Sequence, residues 1–219
     1  MNLTFDTGTK AGPVSGILNL PDKARALLVF AHGAGAGMRH SFMETMAGLL
    51  AERGVGTLRY QFPYMEAGRG QPDRPPVLEA TVEAAVAEAA RLAPGLPLFA
   101  GGKSMGGRMT SGAVAKGGLP EVKGLIFFGF PLHPPGNRGT ARADHLSHVT
   151  VPMLFIQGTR DSLADLQLIK EVVGHLGARA KLHVVDEGDH SFHVLKRSGK
   201  TDAQVLAEIA EVSTRMMIP

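Results

Sequence analysis

Short apolar runs alternate along this chain with segments whose apolar residues recur at helical spacing. That alternation narrows the fold more than any other feature. Ala26–Ala31, which reads Ala-Leu-Leu-Val-Phe-Ala, has no polar face at all. A run this short reads as a strand, and without a polar side it has to be covered on both faces. Further short runs lie at 55–60, 97–100, 125–130, 153–157 and 181–186. Parallel strands need crossover connections, so the intervening segments are predicted to be helices on both faces of a mostly parallel sheet. Two strand-like stretches precede the alternation, at 3–6 and 14–20, with a Gly12-Pro13 turn between them.

The helices carry their own punctuation. Ser41 with Glu44 reads as a capping box ahead of Phe42, Met46 and Leu49, and Gly54 closes that helix. Pro76 opens a helix with Leu78, Val82, Ala85 and Ala89 on one stripe. A helix over 104–116 is stopped by Gly117-Gly118. Ser162 with Asp165 opens another, carrying Leu166, Ile169, Val173 and Leu176, and Thr201 with Gln204 caps the last. Two stretches break the pattern: residues 62–76 hold four Pro and two Gly, and residues 131–150 hold three Pro, two Gly and three His. Both are expected to be lids or binding loops. No internal repeat or low-complexity tract interrupts the chain, so residues 1–219 are expected to form one domain.

Composition removes several chemistries. The chain has no cysteine, which excludes a disulfide framework, a thiol nucleophile and Cys-ligated zinc or iron–sulfur centres. The net charge of +3 comes without a dense Lys/Arg run, so no nucleic-acid partner is expected. No apolar run approaches the ~20 residues of a membrane span. The opening residues Met1, Asn2, Leu3, Thr4, Phe5 and Asp6 lack the basic region and apolar run of a secretion signal. The expectation is a cytoplasmic protein without a membrane partner.

Gly102-Lys103-Ser104-Met105-Gly106 fits Gly-x-Ser-x-Gly, with a short strand before it and a helix after it. A serine on a sharp strand-to-helix turn projects its hydroxyl above the sheet edge, and the tightness of the turn leaves no room for side chains at the flanking positions. Gly102-Lys103-Ser104 is also the tail of a phosphate-binding loop, but that motif needs glycine at position 97, where this chain has Pro97. A serine needs a base, and the base needs an acid to fix its tautomer. Asp161 follows the strand ending at Gln157, and His190 follows the strand ending at Asp186. The order Ser, acid, His along the chain is the one found in the fold that carries its serine on such a turn. The oxyanion hole is expected from backbone N–H groups of Met105, directly after the serine, and of Ala34, in His32-Gly33-Ala34-Gly35-Ala36-Gly37.

With these residues in hand the chain resembles an α/β-hydrolase over essentially its whole length. His32-Gly33 resembles the family's oxyanion motif, and Asp161 and His190 match its acid and base. It looks most like the compact dienelactone-hydrolase-like branch. Gly102-Lys103-Ser104-Met105-Gly106-Gly107-Arg108 and Gly129-Phe130-Pro131-Leu132-His133 resemble a subgroup that includes a testis-expressed protein and a non-specific-lethal chromatin-complex subunit. Dienelactone hydrolases use Cys where this chain has Ser104, which argues against dienelactone as substrate. The resemblance implies an α/β-hydrolase fold with a mostly parallel eight-stranded sheet, helices on both faces and no large cap domain. It implies a serine esterase acting on a small-molecule acyl substrate, with no metal and no organic cofactor. The rival functions are a non-catalytic scaffold and an acyltransferase or peptidase on the same triad. A homodimer is the base-rate expectation for assembly.

Other residues compete for roles. Asp165 is a rival acid and His193 a rival base. His133, His145 and His148 read as solvated loop residues rather than metal ligands, since no His-Glu-x-x-His motif occurs. His32 reads as a brace for its own loop. Arg39, Arg69, Arg108, Arg138 and Arg142 are weighed as contacts to an acidic substrate against solvated surface residues, and Phe42, Phe62, Met65 and Phe130 as pocket walls against core packing.

Overall fold

Residues 1–218 are described in a computed structural model of the chain. The strands are β1 (Asn2–Asp6), β2 (Pro13–Asn19), β3 (Ala26–Ala31), β4 (Val55–Tyr60), β5 (Leu98–Lys103), β6 (Val122–Phe128), β7 (Met153–Gly158) and β8 (Ala180–Val185). The helices are α1 (Ser41–Ala51), α2 (Pro63–Glu66), α3 (Pro75–Leu92), α4 (Met105–Ala115), α5 (Leu166–Leu176) and α6 (Asp202–Met217). The strands form one eight-stranded sheet in the order β1-β2-β4-β3-β5-β6-β7-β8. Only β2 runs against its neighbours, pairing antiparallel with β1 and β4, while β3 to β8 pair in parallel.

The apolar runs work as strands buried on both sides. Leu27, Val29 and Ala31 point into a core under α3, α4 and α5, while Ala26, Leu28 and Phe30 point into a second core under α1 and α6. β6 and β7 alternate in the same way: Leu125, Phe127, Met153 and Phe155 face the first core, and Ile126, Phe128, Leu154 and Ile156 the second. The chain leaves β3 toward β4 by way of α1, then crosses back to β5 by way of α3. This reversal of strand order opens a crevice at the carboxyl ends of β3 and β5, the place where such sheets hold their ligands.

The structure corrects several local expectations. β5 runs to Lys103 and β6 begins at Val122, so the strands are displaced from 97–100 and 125–130. The N-cap of α1 is His40, whose Nδ1 accepts the Phe42 N–H, and Ser41 is already inside the helix. α5 begins at Leu166 with Asp165 as its N-cap, accepting the N–H groups of Gln167 and Leu168. Residues 62–76 are not wholly irregular, since α2 occupies Pro63–Glu66 and α3 starts at Pro75. Within 131–150, Ala141–His148 forms 3-10 turns. The Thr201–Gln204 capping box on α6 is present. No helix among the described residues is long and apolar enough to cross a membrane.

Candidate active site

Ser104 sits where β5 turns into α4, with φ 51 and ψ −117. A non-glycine residue with positive φ is uncommon and needs its surroundings to hold it there. Those surroundings are backbone: a Cβ on Gly102 would lie 2.4 Å from the Ala31 oxygen, and one on Gly106 would lie 2.6 Å from the oxygens of both Ala31 and His32. The two glycines let the turn press against the end of β3, and this locks the serine's conformation. Its hydroxyl makes no capping bond to α4 and faces a cleft.

Asp161 and His190 come together from the loops after β7 and β8. A Cβ on Gly158 would fall 2.2 Å from the Gly188 oxygen, so only glycine lets the two loops touch there. Arg160 N–H donates to the Gly188 oxygen at 2.8 Å, which ties them further. The Asp161 side chain is fully buried. Its Oδ2 accepts from His190 Nδ1 at 2.7 Å and from Gln157 Nε2 at 2.5 Å, and its Oδ1 accepts the Leu163 N–H at 2.8 Å. With Nδ1 donating to the carboxylate, Nε2 is left as the acceptor of the ring.

Ser104 and His190 line one cleft of about 530 Å³ together with Gly33, Ala34, Phe42 and Leu206. No direct hydrogen bond joins the Ser104 hydroxyl to the ring among the described residues. Catalytic hydrogen bonds of this kind commonly tighten only in the reacting complex. A Cβ on Gly33 would be 3.7 Å from Ser104 Cβ, so the Gly33-Ala34 backbone runs beside the serine. Met105 is the first residue of α4, and its N–H belongs to the unpaired first turn of that helix.

A family model described as an alpha/beta hydrolase domain matches residues 24–218. The chain belongs to that family. The hydrolase domain is similar to an alpha-beta serine hydrolase homologue from Coxiella burnetii at 18% identity, with 99% of this chain and 97% of that one covered and a TM-score of 0.78. It is similar at 21% identity to an a/b serine hydrolase without lid from Xanthomonas campestris, covering 100% and 95% with a TM-score of 0.77. A dienelactone hydrolase from Anabaena variabilis matches at 20% identity over 98% and 94%, with a TM-score of 0.76.

The rival acid and base of the hydrolase domain are used elsewhere. Asp165 caps α5 and pairs with Arg138 at 2.8 Å. His193 reaches the same cleft but pairs with Asp202 at 2.8 Å. Of the four residues weighed as pocket walls or core, Phe42 lines the cleft and the other three pack in the core. Phe62 packs edge-on against His32 and Tyr60 inside the core, Phe130 packs against Phe127 and Phe155, and Met65 lies against the larger core. The loops 62–76 and 131–150 contribute no cleft residue either; the walls come from the loop between β3 and α1, from α1, Leu163 and α6, and from residues 190–193. None of the five weighed arginines lines the cleft; Arg69 pairs with Asp73, and Arg108 lies in a separate recess with His145.

The histidines of 131–150 also differ from expectation. His133 is buried, donating from Nδ1 to the Pro134 oxygen at 2.9 Å and accepting the Asp165 N–H on Nε2 at 3.1 Å. His145 bonds to the Ser111 hydroxyl at 2.7 Å, and burial lowers its pKa, helped by Arg108. Only His148 is exposed.

Residues 61–64 brace the glycine loop from behind. Gly35 N–H donates to the Tyr64 hydroxyl at 3.0 Å, and Met38 N–H to Gln61 Oε1 at 2.8 Å. His32 completes the brace, donating from Nδ1 to the Gly33 oxygen at 2.7 Å and accepting the Phe62 N–H on Nε2 at 3.1 Å. Burial pushes its pKa from 6.5 down to about 4. Between those values the unfolded chain binds a proton that the folded chain refuses. This contribution to stability is complete above pH 6.5 and is lost as pH falls toward 4, by roughly 3 kcal/mol. Denaturant unfolding at neutral pH and near pH 4 should show that loss, and His32→Asn should shrink it.

Sequence reasoning missed Gln157 and Lys103 as site residues. Gln157 is the fifth residue of a wholly buried strand, and a polar side chain in such a run was the available signal. Lys103 occupies the variable position of the serine turn, to which the motif assigns no role.

Proposed function

We propose that this chain is a serine hydrolase that cleaves a carboxylic ester or related acyl bond through Ser104, His190 and Asp161. The observation that carries this reading is the 2.7 Å bond from His190 Nδ1 to the buried Asp161, with the other ring nitrogen free in the cleft that Ser104 shares. In this reading Ser104 Oγ attacks the acyl carbon while His190 Nε2 takes its proton. Asp161 holds the imidazole and stabilises its cationic form. The N–H groups of Ala34 and Met105 receive the developing oxyanion, with the N-terminal end of α4 adding its positive dipole. His190 returns the proton to the leaving alcohol. Water, deprotonated by His190, then releases the acid. This acyl transfer asks for no metal and no organic cofactor. The substrate is a small acyl compound whose body lies along Phe42, Met43 and Leu206. We also read the Gly102–Arg108 and Gly129–His133 segments as marks of the smaller subgroup named above within the compact dienelactone-hydrolase-like branch, acting as one cytoplasmic domain.

Treatment with a fluorophosphonate followed by intact mass tests the reading. One adduct is expected on wild type and none on Ser104→Ala. Folded wild type that gains no adduct would overturn it and favour a binding module on this fold. Product analysis with competing nucleophiles separates hydrolysis from acyl or peptide transfer.

A further inference from the structure

Lys103 has no part in the chemistry above, yet its ammonium is enclosed among the residues that perform it. Nζ donates to the backbone oxygen of His190 at 2.5 Å. It also lies 5.3 Å from the Phe192 ring centroid and 5.9 Å from that of Phe42. A cation over two aromatic faces and on one carbonyl is held in place and is not a solvated surface group. Gly129, at φ 73, makes the space: a Cβ there would stand 3.1 Å from Lys103 Nζ and 3.4 Å from His190 Nδ1.

The loop that Lys103 grips needs holding. Glu187 and Phe192 flank His190 with φ values of 54 and 65, conformations that persist only when their surroundings over-determine them. Asp189 Oδ1 takes the N–H groups of Ser191 and His193 at 2.8 and 3.0 Å, which secures the outer side of the loop. The inner side is secured by Lys103, which is covalently next to Ser104. The groups facing the ammonium are Asp161 from the β7 loop, Asp189 and His190 from the β8 loop, and the uncharged Phe42 from α1.

We propose that Lys103 is a positioning residue whose ammonium ties the His190 carbonyl to the turn carrying Ser104, holding the imidazole in register with the serine. The proposal deepens the serine-hydrolase reading and rests on it. It also accounts for a half-buried lysine whose pKa desolvation pushes down to about 8, against the opposing pull of Asp161 and Asp189.

The test measures the fluorophosphonate labelling rate by intact mass across neutral to alkaline pH. Wild type, Lys103→Met and Lys103→Gln are compared, and the His190 ring signal is followed by NMR with 13Cε1-histidine, assigned through His190→Asn. Lys103→Met is expected to label about 10- to 100-fold more slowly, the cost of a base displaced by a fraction of an ångström. The wild-type rate should fall several-fold above about pH 8 as the ammonium loses its charge. Lys103→Gln keeps a neutral donor, so it should label at an intermediate rate without that alkaline fall. The His190 signal should move in Lys103→Met. A folded Lys103→Met with the wild-type rate and pH profile would overturn the proposal. If Lys103→Met does not fold, a folded Lys103→Gln with the wild-type rate and pH profile overturns it. If wild type is never labelled, the hydrolase reading falls, and the ring signal still decides: an unmoved His190 in either Lys103 variant refutes the positioning role, and a displaced one supports it.

Discussion

Replacing Asp161 by Asn is expected to slow acylation of Ser104 by about 10⁴-fold while leaving the protein folded. The Asp161 carboxylate accepts three hydrogen bonds, from His190, Gln157 and the Leu163 N–H. An amide in its place has one oxygen. The Leu163 N–H is fixed backbone, so that oxygen stays with it and the new NH₂ turns toward Gln157 and His190. Gln157 can flip, presenting an Oε1 that has no partner in the native structure. His190 can follow only by moving its proton from Nδ1 to Nε2, and a ring protonated at Nε2 cannot accept from Ser104. Fold and base position survive, and the tautomer is wrong. Labelling rates with a fluorophosphonate, beside a thermal melt, separate this outcome from unfolding; a folded Asp161→Asn that labels within tenfold of wild type would remove Asp161 from the mechanism.

A single methyl group at position 158 is expected to act on both stability and reactivity. In Gly158→Ala the new carbon would meet the Gly188 oxygen at 2.2 Å, its carbonyl carbon at 2.6 Å and the Asp189 oxygen at 2.9 Å. Those atoms are backbone, so relief requires the β8 loop to shift away from the β7 loop. Overpacking of this kind costs about 1–3 kcal/mol, which for a chain of this size is a fall of roughly 2–10 °C in Tm. The same shift draws His190 from Asp161, so the labelling rate should fall together with Tm. Gly174→Ala is the control: it lies inside α5 with nothing within 4 Å of its Cβ, and it should stabilise by about 0.5–1 kcal/mol. Equal effects of the two substitutions would mean that the contact between the loops carries no function.

The sheet was legible because β3, β6 and β7 are apolar on both faces, a pattern few other structures tolerate. The positions of Ser104, Asp161 and His190 at strand ends followed from the same spacing. What could not be read is the direction in which a loop side chain points. Phe62 and Phe130 were open to reading as pocket walls because each stands at the edge of an irregular segment, yet both rings turn into the core. His133 and His145 looked solvated for the same reason, but each has a partner distant in sequence, Asp165 for one and Ser111 for the other. Lys103 is the sharper case: a lysine at the variable position of the serine motif carries no sign of a partner until the loop after β8, far along the chain, is laid across it.

The two cores carry unequal shares of the cleft. The larger one, beneath α3, α4 and α5, anchors the strands that deliver Ser104 and Asp161, and its residues turn away from the cavity. The wall on the other side includes Ser41, Thr45, Ser191 and Leu206, all at least partly exposed and none a member of the fully buried core. Substitutions at such positions usually change stability by no more than about 0.5 kcal/mol. What this cavity admits can therefore change at those positions without disturbing either core, whereas the backbone contacts at Gly102, Gly106 and Gly158 leave the placement of Ser104, Asp161 and His190 no such latitude.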